Sequence, residues 1–406
     1  MKKIKILYTI SHLFYGGVEV SLYDLCRFIH KNDFEIVILS LLQGTALEDK
    51  FESLEGVKLV KLNIKNKYNP LIIPKIIYHI YKEKPDIIHS NLTVADIYTR
   101  LSSLFFSIKT ISSARNPLIR DTFLYKVDRW TSKINTKLIA NTQWMKKHIL
   151  KLGYSAENRI NIIHSGIDFS KFSKANETQS KEDFLHKYHI PQDAVIMSYV
   201  ASFNPMKAHI YLFYLVKKLL DDKKQVYLIL IGLGNSPINR KMFDYFKALC
   251  EKWKINQNVI FVGELHNPRD VLEHTDIYIS SSLAESQGRA ILEAMYLKKP
   301  VIAFDVDAVR EIIIEDKTGF PVTLHNEKAK YDTINSMYDF DFNIDQIDVD
   351  NLYRRTIEVI DLISQSDSKL IEIIENAHKL AVDEYSIEII TAQHEELYKE
   401  MVNEKN

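Results

Sequence analysis

Cysteine is nearly absent from this 406-residue chain. Cys26 and Cys250 lie far apart, in neither a CxxC pair nor any metal-ligand spacing. That excludes a disulfide framework, a thiolate metal site and a dithiol redox centre. Both thiols are expected to be buried and reduced, as in a cytoplasmic protein. Long hydrophobic runs are missing too, and none approaches the roughly 20 residues that a spanning helix needs. The opening "MKKIKILYTISHLFYGG" has the basic tip and apolar middle of a signal peptide. Lys5 and His12 interrupt it, however, and no small-residue cleavage site follows, so a first β-strand is expected. A complete dinucleotide fingerprint is also lacking. "LIGLGNSP" places Pro237 where G-x-G-x-x-G requires its third glycine, which disfavours a nicotinamide enzyme.

Net charge is absent only in sum, since 53 Lys and Arg balance 53 Asp and Glu. Residues 1–190 hold 29 basic against 18 acidic side chains, and residues 191–406 hold 24 against 35. Either this is compositional drift in a Lys-rich chain, or the first half faces an anionic partner such as a phospholipid surface or a phosphate-bearing substrate. Nucleic acid is not expected, because the positive charge is dispersed and lacks interleaved exposed aromatics.

A hydrophobic content of 46% with 26% charged residues describes a soluble globular protein. The length implies two domains of roughly 180–200 residues. Apolar runs ending in small or polar residues alternate with amphipathic stretches. The first half holds "IKILYTI", "FEIVILSLL", "VKLVKL", "PDIIHS", "KTISSA" and "KLIANT". After the polar stretch "FSKFSKANETQSKEDF" the pattern restarts with "AVIMSYVASF", "QVYLILIGLG", "NVIFVGEL", "DIYISSS" and "KPVIAFD". The expected α/β architecture is two doubly wound parallel-sheet domains, 1–180 and 181–383, facing across a cleft. The acidic, weakly patterned residues 323–350 read as a surface insertion, and Leu352 to Met401 reads as helical.

Ligands of doubly wound sheets sit where strands end and helices begin. Gly16 and Gly17 follow the first strand, either as an ordinary turn or as a backbone seat for an anion. In "ASFNPMKAH", Lys207 opens a helix, as a solvated surface charge or as the neutraliser of a diphosphate. "LAESQG" then joins the strand "DIYISSS" to the helix "RAILEAMYLKK", offering the N–H groups of Gly288 and Arg289. Glu285 fits either the helix dipole or a vicinal diol. Glu293, inside "AILEAM", requires a partner among its apolar neighbours.

With these residues in view, "ESQGRAILEAMYLKKPVIAFDVDAVREIIIEDKTGF" resembles the signature of glycosyltransferase family 4. Glu285, Glu293, "PVIA", Glu311 and "TGF" occur in its order and spacing. "YGGVEVSL", "PDIIHSN", "NIIHSGID", "VASFNPMKAH" and "NVIFVGEL" extend the likeness to about 90% of the chain, leaving out residues 323–350. The resemblance implies the GT-B fold, with the terminal helix near residues 384–406 returning to the first domain. It implies that Glu293 holds the donor ribose, Glu285 the transferred sugar, and Lys207 the diphosphate. Gly288, Arg289, Ser286, Gly16 and Gly17 would assist Lys207. It further implies retention of anomeric configuration, no cofactor and no metal, because cationic side chains and helix ends stabilise the leaving group.

Three positions depart from the family pattern. Ser202 stands where Arg is common, and Arg289 is the candidate for the missing charge. Arg115, followed by Asn116, replaces a His near the reacting centre. Ser165 replaces Asn in "HSGID". The expectation is therefore a cytoplasmic, peripherally membrane-bound glycosyltransferase. Its donor would be a nucleoside-diphosphate sugar, with a UDP-sugar favoured, and its acceptor a growing glycan on a polyprenyl diphosphate. A same-fold nucleotide-sugar epimerase and a non-catalytic sugar-nucleotide-binding subunit are the alternatives.

Overall fold

The computed structural model describes every residue except 1, 15, 45–46, 116–122, 173–178, 235, 266 and 405–406. The chain divides into two compact units, Met1–Asp168 with Tyr385–Asn406, and Phe169–Glu384.

The first unit is built on seven parallel strands: β1 Ile4–Ile10, β2 Phe34–Leu42, β3 Val57–Ile64, β4 Ile87–Asn91, β5 Lys109–Ala114, β6 Lys137–Ala140 and β7 Ile160–Ile162. Their order is β3-β2-β1-β4-β5-β6-β7, so the winding reverses between β1 and β4. Strands covered by helices on both faces must be apolar throughout, which is why β2 reads "FEIVILSLL" without alternation. One face packs Ile6, Tyr8, Ile10 and Ile38 against helix Gly17–Phe28 and the terminal helix Ile387–Asn403. The other packs Leu7, Val37 and Leu39 against Ile72, Ile76 and Ile80 of helix Ile72–Glu83, buried at helical spacing.

The terminal helix is integral to this unit. Ile167 and Tyr385–Ile387 exchange backbone hydrogen bonds of 2.9 and 3.0 Å. A Cβ on Gly166 would meet Ile387 Cα at 3.0 Å, so only glycine lets the "HSGID" turn approach that closely. Within the helix, the Tyr398 hydroxyl lies 2.9 Å from that of Tyr8 and 2.7 Å from His89 Nδ1, while His89 Nε2 lies 2.7 Å from Ser113 Oγ. This buried chain joins the helix to β1, β4 and β5. The returning segment Tyr385–Asn406 also brings five acidic residues and two basic ones, so the first unit holds 27 Lys and Arg against 20 Asp and Glu. Its basic excess is thus smaller than residues 1–190 indicate.

The second unit repeats the winding with six parallel strands, β8 Val195–Val200, β9 Val226–Ile231, β10 Val259–Gly263, β11 Ile277–Ser280, β12 Val301–Phe304 and β13 Phe320–Val322. The order β10-β9-β8-β11-β12-β13 reverses between β8 and β11. Cys26 and Cys250 are both buried and unbridged. Residues 323–350 are not the surface insertion expected from their acidity. Ile334 and Met337 of helix Lys330–Tyr338 are fully buried, and so is nearly all of Lys330. Helices Gln346–Ser364, Ser368–Tyr385 and Ile387–Asn403 fill the expected helical tail.

Candidate active site

In the second unit the strand order itself selects the site. A doubly wound sheet opens a crevice at the carboxyl ends of the two strands where the winding reverses, here β8 and β11. The loop after β8 carries Ser202 and Lys207, and the loop after β11 carries Glu285, Ser286 and Gly288.

The two loops are tied together. Asn204 accepts from the Met206 N–H at 3.0 Å, opening the short 3₁₀ turn Pro205–Lys207. The Lys207 carbonyl accepts from the Tyr199 hydroxyl at 3.1 Å and from Ser281 Oγ at 3.0 Å. Leu283 N–H donates to the Met206 carbonyl at 2.8 Å. With its backbone fixed from both sides, Lys207 extends Nζ to within 2.5 Å of Glu285 Oε2. Burial pulls the ammonium pKa down, but the Glu285 carboxylate more than offsets this, and the net shift is upward. The ammonium is therefore charged at neutral pH, although only 22% of its side chain is exposed.

Glu285 is braced from behind. Its N–H donates to Asp307 Oδ2 at 3.2 Å, and Asp307 Oδ1 accepts from Lys330 Nζ in a buried ion pair. Burial raises the Asp307 carboxyl pKa, an effect that the Lys330 charge counteracts. Neither Asp307 nor Lys330 was legible as a site residue, because Lys330 lies in the stretch that the sequence marks as a surface insertion. Tyr199, Ser281 and Ser282 were also missed. The only signal was the "SSS" run closing β11, whose Ser282 Oγ lies 2.7 Å from the Tyr199 hydroxyl.

Gly288 caps helix Arg289–Tyr296 with φ of +84°, in the left-handed region that favours glycine. A Cβ there would also press on Ile291 and Ile312 at 3.2 Å. Arg289 opens the helix, and Glu293 follows one turn later on the same face, half-buried between Leu292 and Ala294. Burial chiefly holds the Tyr278 hydroxyl well above its ordinary pKa, followed by Tyr199, with the charges of Glu293 and Glu285 adding to the effect. The loop after β9 closes over the same strand ends. Gly232, at φ +116°, lies so near the Ala201 carbonyl that a Cβ would meet its oxygen at 2.5 Å. Beneath the Lys207 turn, His209 stacks on Phe203 with 4.2 Å between ring centroids. Burial, reinforced by the Lys207 charge, pushes its pKa down to about 3, so the ring is neutral.

The remaining candidates belong to the first unit, also at carboxyl strand ends. Gly16 precedes helix Gly17–Phe28, and the buried Glu19 carboxylate already lies over it. A Cβ on Gly16 would meet Glu19 Oε2 at 2.5 Å. The chain's own carboxylate thus occupies part of the expected anion seat. Arg115 is buried directly after β5, and Asn116 lies outside the described residues. The Arg115 charge helps lower the pKa of His89, after burial and His394, and that of His394, which falls to about 4 chiefly through burial.

Two doubly wound parallel-sheet units in one chain, matched over nearly their whole length by solved glycosyltransferase structures, place the protein in the GT-B class. The chain matches the family profile "Glycosyltransferase Family 4" over residues 15–171 and "Glycosyl transferases group 1" over residues 180–342. It belongs to the glycosyltransferases built from this pair of domains. It is similar to the capsular polysaccharide biosynthesis glycosyltransferase CapM of Staphylococcus aureus, 23% identical over 75% of this chain and 80% of the relative. It is also similar to the UDP-Gal:alpha-D-GlcNAc-diphosphoundecaprenol alpha-1,3-galactosyltransferase of Escherichia coli, 21% identical over 60% of this chain and 64% of the relative. Among solved structures, Anabaena HepE in complex with UDP and glucose superposes with a TM-score of 0.79 at 16% identity, covering 98% of this chain and 99% of that one. Among the described residues no helix is long and apolar enough to cross a membrane.

Proposed function

We propose that this glycosyltransferase moves a hexosyl or N-acetylhexosaminyl group from a UDP-sugar to a lipid-linked glycan, with retention of configuration and without a metal. One observation carries the reading, namely the Lys207–Glu285 contact across the winding reversal of the second sheet. A permanently charged ammonium beside a carboxylate suits a donor that carries both a diphosphate and sugar hydroxyls. When the donor enters, Lys207 turns to the diphosphate, and Glu285 is released to accept hydrogen bonds from the sugar. Gly288 and the first N–H groups of helix Arg289–Tyr296 face the same phosphates, and Arg289 supplies the charge that Ser202 lacks. Glu293 accepts from the ribose hydroxyls. Negative charge developing on the leaving UDP is stabilised by Lys207, and a diphosphate oxygen takes the acceptor's proton as the new glycosidic bond forms on the same face.

The acceptor reading draws on the E. coli relative's name, which specifies a diphosphoundecaprenol acceptor, and on the basic excess of the first unit. Arg115 and the helix start at Gly16 and Gly17 would then serve the first unit's side of the reaction, at a cytoplasmic membrane face. A panel of UDP-sugars, read for UDP release with and without polyprenyl-diphosphate glycans, tests the proposal. Transfer supports it. Isomerised donor without release would indicate an epimerase, and binding without turnover would indicate a non-catalytic subunit.

A further inference from the structure

The second unit buries an ion pair, Lys330 with Asp307, whose side chains are 5% and 2% exposed. Exchanging such a pair for apolar residues is often neutral or stabilising, so stability alone does not explain its presence. Two further observations connect it to the donor site. Asp307 holds φ of +47°, a left-handed backbone that residues other than glycine adopt at a cost, and strain of this type collects at functional sites. Both oxygens of its carboxylate are also engaged. Oδ1 accepts from Lys330, and Oδ2 accepts at 3.2 Å from the N–H of Glu285, the residue proposed to hold the transferred sugar. Ala308 N–H donates in turn to the Glu285 carbonyl at 3.3 Å. The peptide groups on both sides of Glu285 are thus held by one short loop.

That loop is itself fastened. Asp305 N–H donates to the Val322 carbonyl at 2.9 Å, and Arg310 lies 3.1 Å from Asp305 Oδ1 and 2.6 Å from Glu327 Oε2. Glu327 lies 3.5 Å from Lys330, so charges of alternating sign lead from Asp305 back to Asp307. Lys330 opens helix Lys330–Tyr338, and that helix packs against the turn Pro205–Lys207. One helix therefore lies behind both partners of the Lys207–Glu285 contact. It carries the cation that anchors the Glu285 loop, and it abuts the turn that aims Lys207. It belongs to residues 323–350, the stretch outside the family signature.

We infer that Asp307 and Lys330 are positioning residues that hold the Glu285 carboxylate against Lys207 in the empty site, and so set how tightly the donor's diphosphate binds. The role rests on the exchange of partners proposed above. Both side chains are almost fully buried, so they act through Glu285 rather than on the donor. A Glu285 main chain fixed on both sides keeps its carboxylate within reach of the ammonium. Once the main chain is loosened, the carboxylate swings away, Lys207 is freed for phosphate, and the sugar loses an aligned partner.

Asp307→Gly with Lys330→Met tests the role, because the pair removes the acceptor of the Glu285 N–H, tolerates the left-handed φ and leaves no buried charge unpaired. Isothermal titration calorimetry should show UDP binding about two- to fivefold tighter than in wild type, while turnover of UDP-sugars falls about tenfold. A merely structural role predicts the reverse for UDP, since a loosened site binds more weakly. Asp307→Asn with Lys330→Met restores a neutral acceptor that also tolerates this φ, and should return UDP affinity to within about twofold of wild type. In a Glu285→Gln background, Asp307→Gly with Lys330→Met should change UDP affinity by less than about twofold, because the contact it loosens is already gone. Weaker UDP binding by the Gly variant, no return with Asn, or an additive effect on Glu285→Gln would each overturn the positioning role. If Glu285→Gln itself fails to tighten UDP binding, the exchange of partners is wrong and the positioning role falls with it. If the UDP affinities follow this pattern but no UDP-sugar is turned over, only the proposed reaction is wrong.

Discussion

Replacing Glu285 by Gln should tighten binding of bare UDP. In the free enzyme Lys207 spends its charge on Glu285, 2.5 Å away, so the incoming diphosphate must displace a carboxylate to reach it. At about 3 Å and an effective dielectric of about 20, the attraction is roughly 5 kcal/mol. The two side chains remain 22% and 16% exposed, and solvent screening reduces the net value to about 1–2 kcal/mol. UDP has no sugar for Glu285 to hold, so the wild-type carboxylate only competes for Lys207 and repels phosphate. Isothermal titration calorimetry should therefore show UDP affinity rising about 5- to 30-fold in Glu285→Gln. Uridine affinity should not change, and sugar transfer should fall by about a hundredfold or more. The gain should shrink in a Lys207→Met background, where there is no ammonium to release. Equal or weaker UDP binding by Glu285→Gln would refute the exchange of partners.

Lys330→Met strands the buried Asp307 carboxylate and should cost about 3–5 kcal/mol in urea unfolding, with recovery on adding Asp307→Asn. No recovery would show that Lys330 acts through packing alone. Gly232→Ala combines a left-handed φ with a Cβ 2.5 Å from the Ala201 oxygen, and should destabilise by about 2–4 kcal/mol. A melting temperature within a degree of wild type would contradict the close approach. Asp96 shares Arg100 with Asp128, which sits closer to the guanidinium at 2.6 Å against 4.0 Å, and burial raises the Asp96 pKa to about 7. The folded state therefore binds the Asp96 proton more tightly than the unfolded state does. The stability this supplies is fully present below about pH 4 and is lost as pH rises through about 7. Asp96→Asn should consequently melt a few degrees less steeply than wild type between pH 5 and pH 8.5, and parallel profiles would reject the assignment.

Most strands were legible because parallel strands buried on both faces read as unbroken apolar runs, and "KTISSA" coincides with β5 residue for residue. β7 and β13 escaped because three residues carry no period. Strand order was not legible, since it depends on which crossover passes over which strand. Lys207 and Glu285 could be marked singly from loop position and family spacing, but their contact joins residues 78 positions apart. Lys330 was concealed by its acidic neighbours. Burial of one lysine on one aspartate is a tertiary fact that composition averages away. The basic excess of the first unit is smaller than that of residues 1–190 for a related reason. A helix remote in sequence returns to the first sheet and carries its acids with it.

In the proposed reaction the loops after β8 and β11 grip the diphosphate of a sugar donor that the enzyme then cleaves. UDP release from a panel of UDP-sugars, measured in wild type, Lys207→Met and Glu293→Gln, tests it most directly. Wild type should release UDP from at least one donor. In Lys207→Met, turnover should collapse while uridine affinity is kept, and in Glu293→Gln affinity for both UDP and uridine should weaken. Release that persists unchanged in Lys207→Met would contradict it.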